Sequence, residues 1–216
     1  MSRSLARRLL KVISVFLVLL MIVLGVNYFF SLRVLTVEYE HAGNVEIFKT
    51  AALNSGKDQK AYRTVDYSGQ ELKIPKGDYT AHYEGSTGYE SKYQEFKLKE
   101  DQTLTIKPSY DQAKLDEILK SEMPALKAVI SQKYAAGIGQ YDIDTGKLYA
   151  NGAWYGTTLT HKVKENIFNE NADTLRIVLH KTSAGWIVAT DPPNIYLSKY
   201  AYPSVPEYIL RDVNTL

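Results

Sequence analysis

The chain has no cysteine, and in 216 residues only four histidines, three methionines and two tryptophans. The missing thiols exclude disulfide staples, thiolate zinc sites, iron–sulfur ligation, cysteine nucleophiles and lipid attachment through cysteine. His41, His82, His161 and His180 have no His-x-x-x-His spacing, so no metal site is expected. His82 and His180 alternate with apolar residues and are expected to face solvent on strands. There is no Walker loop, no Gly-x-Ser-x-Gly elbow and no Gly-x-Gly-x-x-Gly. Gly137-Ile138-Gly139 lacks the third glycine and reads as a helix terminator. No cofactor and no catalytic residue are expected.

Two acidic patterns come closest to chemistry. Asp142-Ile143-Asp144-Thr145-Gly146 has a fragment of calcium-loop spacing, but its glycine comes one place early and Ala153 stands where the bidentate Glu belongs. Aspartates on the wet face of a strand, followed by a turn, explain the run. Glu122 and Asp142 would make a glycosidase-type carboxylate pair only if folding brought them together. An envelope hydrolase therefore survives as an alternative only through a constellation assembled in three dimensions.

Charge is unevenly placed. Four of the 26 basic residues (Arg3, Arg7, Arg8 and Lys11) and none of the 24 acidic ones lie in the first 32 positions, so the rest carries two more acids than bases. A near-neutral body has no field to draw in phosphate backbones, and nucleic acid is not an expected partner.

What the sequence does have is one long apolar run. Val12 to Leu32 is 21 residues without a charge, which as a helix spans about 30 Å, the hydrocarbon thickness of a bilayer. Asn27, Tyr28, Phe29 and Phe30 sit where an aromatic belt would lie. The basic flank predicts a cytoplasmic N-terminus and an extracytoplasmic body. The lipid bilayer is thus the expected partner of residues 12–32, and 1–33 form a tail and signal anchor. A cleaved signal peptide, ending near Val26, is the competing reading, although no Ala-x-Ala pattern occurs.

From 34 to 108 short runs alternate with period two. Leu72 and Ile74 alternate with Glu71 and Lys73; Tyr79, Ala81 and Tyr83 alternate with Thr80, His82 and Glu84. Phe96/Leu98 and Leu104/Ile106 follow, with Gly- and Pro-containing turns between them. This predicts a small antiparallel β-sandwich. Within it, Ile74-Pro75-Lys76-Gly77-Asp78-Tyr79-Thr80-Ala81, then Gly88-Tyr89, then the Phe96 and Leu104 strands resemble a PEGA-type domain. That group is similar to the carboxypeptidase-regulatory-like, prealbumin-like sandwiches of surface proteins. The resemblance covers about residues 70–107, with Lys76 and Asp78 in its variable places. It implies a non-catalytic module and transfers no site residue.

At Pro108 the period changes. Ser109 and Gln112 read as a capping box, and Leu115, Ile118, Leu119, Met123, Leu126, Val129, Ile130 and Tyr134 follow at helical spacing. Pro124 either kinks this helix or lies in the first turn of a second one starting at Ser121. Strands are expected at 138–143, 148–150, 154–163, 175–180 and 186–188, with a turn at Asp144–Lys147 and another at Asn151-Gly152. The polar stretch 165–173 separates two of them. Helix followed by curved antiparallel sheet resembles the cystatin-like and NTF2-like α+β folds, carried by Leu175–Leu179 and Gly185–Val188. The fold class is α+β, and 109–216 form the last domain.

Tyrosine is the real excess, with 17 residues, of which 16 lie outside the apolar run. Tyr196, Tyr200, Tyr202 and Tyr208, among Pro192, Pro193, Pro203 and Pro206, form a candidate recognition surface, because tyrosine gives large contact area for little entropy loss. Trp154 and Trp186, in the curved sheet, are candidate pocket aromatics; the bland reading is that both fill the core. These residues point to a non-catalytic binding or scaffold protein held at the cell membrane, whose partners are envelope proteins or a cell-wall polymer. A cell-wall glycan binder is the first alternative.

Overall fold

The computed structural model describes residues 3–54, 60–162 and 174–216, with side chains from residue 13 onward. The fold is α+β. The chain divides into two compact units, Met1–Pro108 and Ser109–Leu216.

Helix α1 (Arg3–Ser31) opens the first unit. Its stretch Ile13–Ser31 is long and apolar enough to cross a membrane or to act as a signal sequence, and none of it is buried by the rest of the chain. No linker follows. Strand β1 (Leu32–Tyr39) starts at the next residue. Arg33 donates from Nη1 to the carbonyls of Phe30 (3.1 Å) and Leu32 (2.6 Å), placing a cation at the carbonyl end of the helix. The Lys76 N–H donates to the Ser31 carbonyl (2.9 Å), and the Val34 N–H to Asp101 Oδ1 (2.8 Å).

The remaining elements of this unit are β2 (Ala42–Lys49), the short helix α2 (Thr50–Leu53), β3 (Arg63–Val65), β4 (Gln70–Pro75), β5 (Gly77–Gly85), β6 (Lys92–Leu98) and β7 (Gln102–Ile106). They form two sheets, β4-β1-β7 and β3-β2-β5-β6. Alternate residues of both sheets meet in one core: Leu35, Val37, Leu72, Ile74, Leu104 and Ile106 from the first, Val45, Ile47, Tyr79, Ala81 and Tyr83 from the second. All pairings are antiparallel except β1 with β7, which is parallel. This single parallel pair was not expected from the alternation, which is the same for either direction. Tyr79 is the largest fully buried side chain of this core. Its hydroxyl donates to the Pro75 carbonyl (2.8 Å), and burial pushes its pKa up to about 12.

The second unit opens with α3 (Gln112–Lys133). Its cap is Asp111, whose side chain accepts from the Lys114 N–H (2.8 Å); the Ser109/Gln112 box does not form, because the helix begins one residue after Asp111. Pro124 lies inside one continuous helix, so no second helix starts at Ser121. After a 3₁₀ turn at Ile138–Gln140, where a strand start was expected, come β8 (Tyr141–Ile143), β9 (Lys147–Tyr149), β10 (Trp154–His161), β11 (Leu175–Thr182) and β12 (Gly185–Val188). They make one curled antiparallel sheet in the order β12-β11-β10-β8, with β9 also on β10. The expected strand end at Val163 and the polar stretch 165–173 fall outside the described residues.

The expected turn at Asp144–Lys147 is instead a bulge in one edge strand. Ile143 pairs with Leu159 and Lys147 with Gly156, so the edge uses one residue more than β10 does. The extra residue switches the inward parity from Tyr141 and Ile143 to Leu148. Gly146 makes the bulge possible: its φ is +64°, and a Cβ there would strike the Gly156 carbonyl oxygen and lie 2.7 Å from Thr157 Cβ.

Helix α3 covers one face of this sheet through Leu119, Leu126 and Ile130, against Leu148, Tyr155, Leu159, Ile177, Leu179 and Trp186. The other face carries a second core of Val178, Leu197, Tyr202, Val205, Ile209, Leu210 and Val213. It is built from the C-terminal segment and its helix α4 (Glu207–Val213), which the sequence pattern did not announce.

Two outcomes are expected. Residues 109–216 alone should fold, giving helix and strand circular dichroism and a cooperative urea transition; an unfolded fragment would show that its two cores need residues before 109. Gly146→Ala should lower the stability of that unit by about 2–3 kcal/mol. Tryptophan fluorescence during urea denaturation reads this directly, since both tryptophans belong to the second unit.

Candidate functional site

The side chains singled out in the sequence do not converge on one pocket. Trp154 pairs with His180, and Trp186 pairs with Lys181. Successive strand residues point to opposite faces, so the two indoles lie on opposite sides of the sheet. Trp154 stacks on the His180 ring, with centroids 4.2 Å apart, and packs against the C-terminal core. Trp186 belongs to the α3 core. The two candidate pocket aromatics therefore do not share a pocket; Trp186 borders a groove with Val129, Gln132, Lys133, Ile187 and Val188.

Trp186 is held by a clamp. Its Nε1–H donates to Glu122 Oε2 (2.8 Å), Lys181 Nζ donates to Glu122 Oε1 (2.6 Å), and the Lys181 ammonium sits 5.5 Å from the indole centroid. The bonds from Lys181 and then from Trp186 hold the Glu122 carboxyl below its ordinary range, against a smaller opposing effect of burial. Asp142 has a different partner, Lys162 (3.7 Å). Glu122 therefore joins α3 to β11 and β12, and the structure gives the two carboxylates no common partner.

The calcium-like run is also structural. Asp144 Oδ2 accepts from the hydroxyls of Thr158 and Thr160. Its backbone carbonyl accepts from Tyr155 (3.1 Å) and Thr157 (2.8 Å). Burial pushes the Tyr155 phenol up to about 12. Four hydroxyls thus converge on one residue and fasten the bulge to β10. Among the described residues no group of three potential metal ligands occurs.

The histidines do not simply face solvent. His82 stacks on Tyr93 (centroids 4.4 Å) and lies 3.9 Å from Glu46. His41 stacks on Tyr89 (4.4 Å), and His161 meets Tyr141 edge-on (5.3 Å). With His180 on Trp154, all four imidazoles lie against an aromatic ring.

The C-terminal tyrosines divide. Tyr202 is only 9% exposed, and its hydroxyl donates to the Pro192 carbonyl (2.8 Å); it is core, not recognition surface. Tyr196, Tyr200 and Tyr208 are exposed, Tyr200 to 97%. The backbone that carries them is firmly tied. Lys199 Nζ donates to the carbonyls of Pro203 and Val205 (both 2.7 Å). Asn214 and Leu197 exchange two bonds of 2.9 Å. Arg176 reaches from β11 to the carbonyls of Ile195 and Val213. Exposed aromatics on a fixed backbone lose little entropy on contact.

A groove the sequence did not suggest lies at the end of α3. Its volume is about 350 Å³, and Tyr134, Ile138, Tyr141, Leu159, Leu175 and Pro193 line it. At its rim Lys133 pairs with Asp191 (2.7 Å), and the Tyr134 hydroxyl donates to the same carboxylate (3.1 Å). The Lys133 bond holds the Asp191 carboxyl below its ordinary range. Burial, and then Asp191, push the Tyr134 phenol up. Helical spacing had assigned Tyr134 to the core, and only the chain's return through Pro193 makes a groove of it.

No family model matches the chain, and no curated protein matches it. Among solved structures, a DUF3823 family protein from Bacteroides ovatus aligns with it at 8% identity and a TM-score of 0.28. The alignment covers 73% of this chain and 96% of that one. A superposition that loose carries no inference about function.

The clamp predicts a pH signature. A carboxyl whose folded pKa is depressed stabilises fully above its unfolded value of about 4.3, and that stability is lost as pH falls through the folded value. Glu122→Ala should cost about 2 kcal/mol at neutral pH, with the gap from the parent chain narrowing below pH about 4. Urea denaturation at several pH values, followed by tryptophan fluorescence, measures both.

Proposed function

We propose that this chain is a membrane-anchored, extracytoplasmic binding or scaffold protein of the cell envelope, without catalytic activity of its own. The observation that carries the proposal is the passage from α1 to β1. A bilayer-length apolar helix, no residue of whose apolar stretch is buried by the rest of the chain, runs straight into a folded sandwich. Four basic residues precede the apolar run, and by the positive-inside rule they favour an N-terminus in the cytoplasm and a body outside.

The PEGA-like resemblance of residues 70–107 supports a structural role for the first unit. It agrees with a strand pair, β4 and β5, that crosses from one sheet to the other at Pro75-Lys76-Gly77. A cystatin-like or NTF2-like kinship of 109–216 draws support from the order of helix then antiparallel sheet.

A second reading, recognition of a cell-wall glycan, is favoured by one observation: Tyr200 is almost wholly exposed on a backbone tied by Lys199. Aromatic faces stack on sugar rings, and truncating one such contact costs about five-fold in affinity.

Protease added to intact spheroplasts should digest the body, and alkaline carbonate should leave the full chain in the membrane pellet. Survival of the intact chain would overturn the topology. A shorter form in the medium, starting near Val26, would replace anchoring by secretion. For the glycan reading, Tyr200→Ala should reduce co-sedimentation with insoluble peptidoglycan about five-fold while leaving the urea midpoint unchanged. Equal sedimentation of the two proteins would set that reading aside.

A further inference from the structure

We infer that the base of the sandwich, where α1 enters it, binds the headgroup of an aminophospholipid, one that carries both a phosphate and a primary ammonium. The inference rests on the anchoring reading above and adds a ligand to it.

A groove of about 580 Å³ lies at this junction, walled by Phe29 of the helix, Arg33 of β1, Lys73 of β4, and Glu100 and Asp101 of the turn before β7. Its volume is in the range of small-ligand sites. Its depth in the membrane follows from the helix. The apolar stretch Ile13–Ser31 has 19 residues, which at the helical rise gives about 28 Å, close to the full hydrocarbon thickness. Phe29 therefore lies in the last turn of the apolar span, and the groove opens into the headgroup layer. The missing linker keeps it there: Arg33, the Lys76 N–H and Asp101 tie the first residues of β1 and the last of α1 to the sandwich.

The charges select the headgroup. Lys73 and Glu100 are both exposed, and among the described residues neither has an ion-pair partner. Arg33 uses one nitrogen, Nη1, on the carbonyls of Phe30 and Leu32, which leaves donors of its five-donor fork for a phosphate. Asp101 uses Oδ1 on the Val34 N–H, which leaves its second oxygen as an acceptor. Two cations beside two carboxylates match a phosphate joined to an ammonium. An anionic headgroup without an amine, such as phosphatidylglycerol, offers Glu100 and Asp101 neutral hydroxyls but no countercharge. A choline headgroup has the positive charge but no N–H to donate, whereas a primary ammonium donates three. Phe29 offers its ring to the upper part of the acyl chains, as interfacial aromatics do.

The test uses the full chain in nanodiscs holding equal amounts of phosphatidylethanolamine, phosphatidylglycerol and phosphatidylcholine, with native mass spectrometry reading which lipids stay bound. Phosphatidylethanolamine should be retained about five-fold over each of the others. Lys73→Gln should lower its retention, and Glu100→Gln should shift the preference toward phosphatidylglycerol. Lys92→Gln, on an exposed position of β6 outside the groove, should change neither. Equal retention of the three lipids, or a phosphatidylglycerol preference that Glu100→Gln leaves unaltered, overturns the headgroup site while anchoring stands. A chain that carbonate strips from the membrane overturns the anchoring and the site together.

Discussion

The second unit is organised by a sheet whose central strands are buried on both faces. Ile177, Val178 and Leu179 are consecutive and fully buried, as are Tyr155 and Thr157 on the neighbouring strand. A strand of this kind needs an apolar cover on each side. Helix α3 supplies one. The other is the segment from about 190 to the C-terminus, whose only described helix is the seven-residue α4. A cover with so little regular structure leaves many backbone carbonyls to be satisfied, and Arg176, Lys199 and Asn214 answer that demand with side-chain bonds. The division of the aromatic residues follows. Trp186 and Tyr155 serve the α3 side, Trp154 and Tyr202 the other, and among the described aromatic residues of this unit Tyr196, Tyr200 and Tyr208 are the exposed ones.

The first unit solves burial more simply. Its two sheets cover one another and period two marks the shared core, except that Phe48 and Thr80 are also buried on the outer side of β2 and β5. The tension lies at its base, where the apolar helix α1 and the sandwich share a boundary with no intervening residue. Charged side chains from three segments are brought to that boundary by the sheet pairing of β1 with β4 and β7. Under the anchoring proposed above, a body joined in this way would stay at the bilayer surface, unlike one on a flexible tether.

The sequence was most legible where burial is one-sided. In the sandwich, alternation names the inward residues directly, and Leu72, Ile74, Tyr79, Ala81 and Tyr83 are all core. Around Asp144 the same reasoning faltered, because a one-residue bulge resets the parity and looks in sequence like a turn between separate strands. It faltered again after Thr190. Tyr202 and Tyr208 stand in similar Pro-rich surroundings, yet one is buried and the other exposed; nothing local separates them. The capping box at Ser109 was a plausible motif that lost to Asp111, whose carboxylate lies closer to the first free N–H groups.

By itself the sequence determined the apolar span, the period of each core-facing strand, the helical stretch after Pro108 and the absence of thiol chemistry. Each of these is a local property, set by composition or by the geometry of one element. Tertiary structure decided the parallel pairing of β1 with β7, the faces to which Trp154 and Trp186 point, and the fate of the C-terminal tyrosines. It also assembled the groove at the junction of α1 and the sandwich from residues as distant as Phe29 and Asp101. These depend on register and on which segment covers which face, and both are fixed by contacts between residues far apart in the chain.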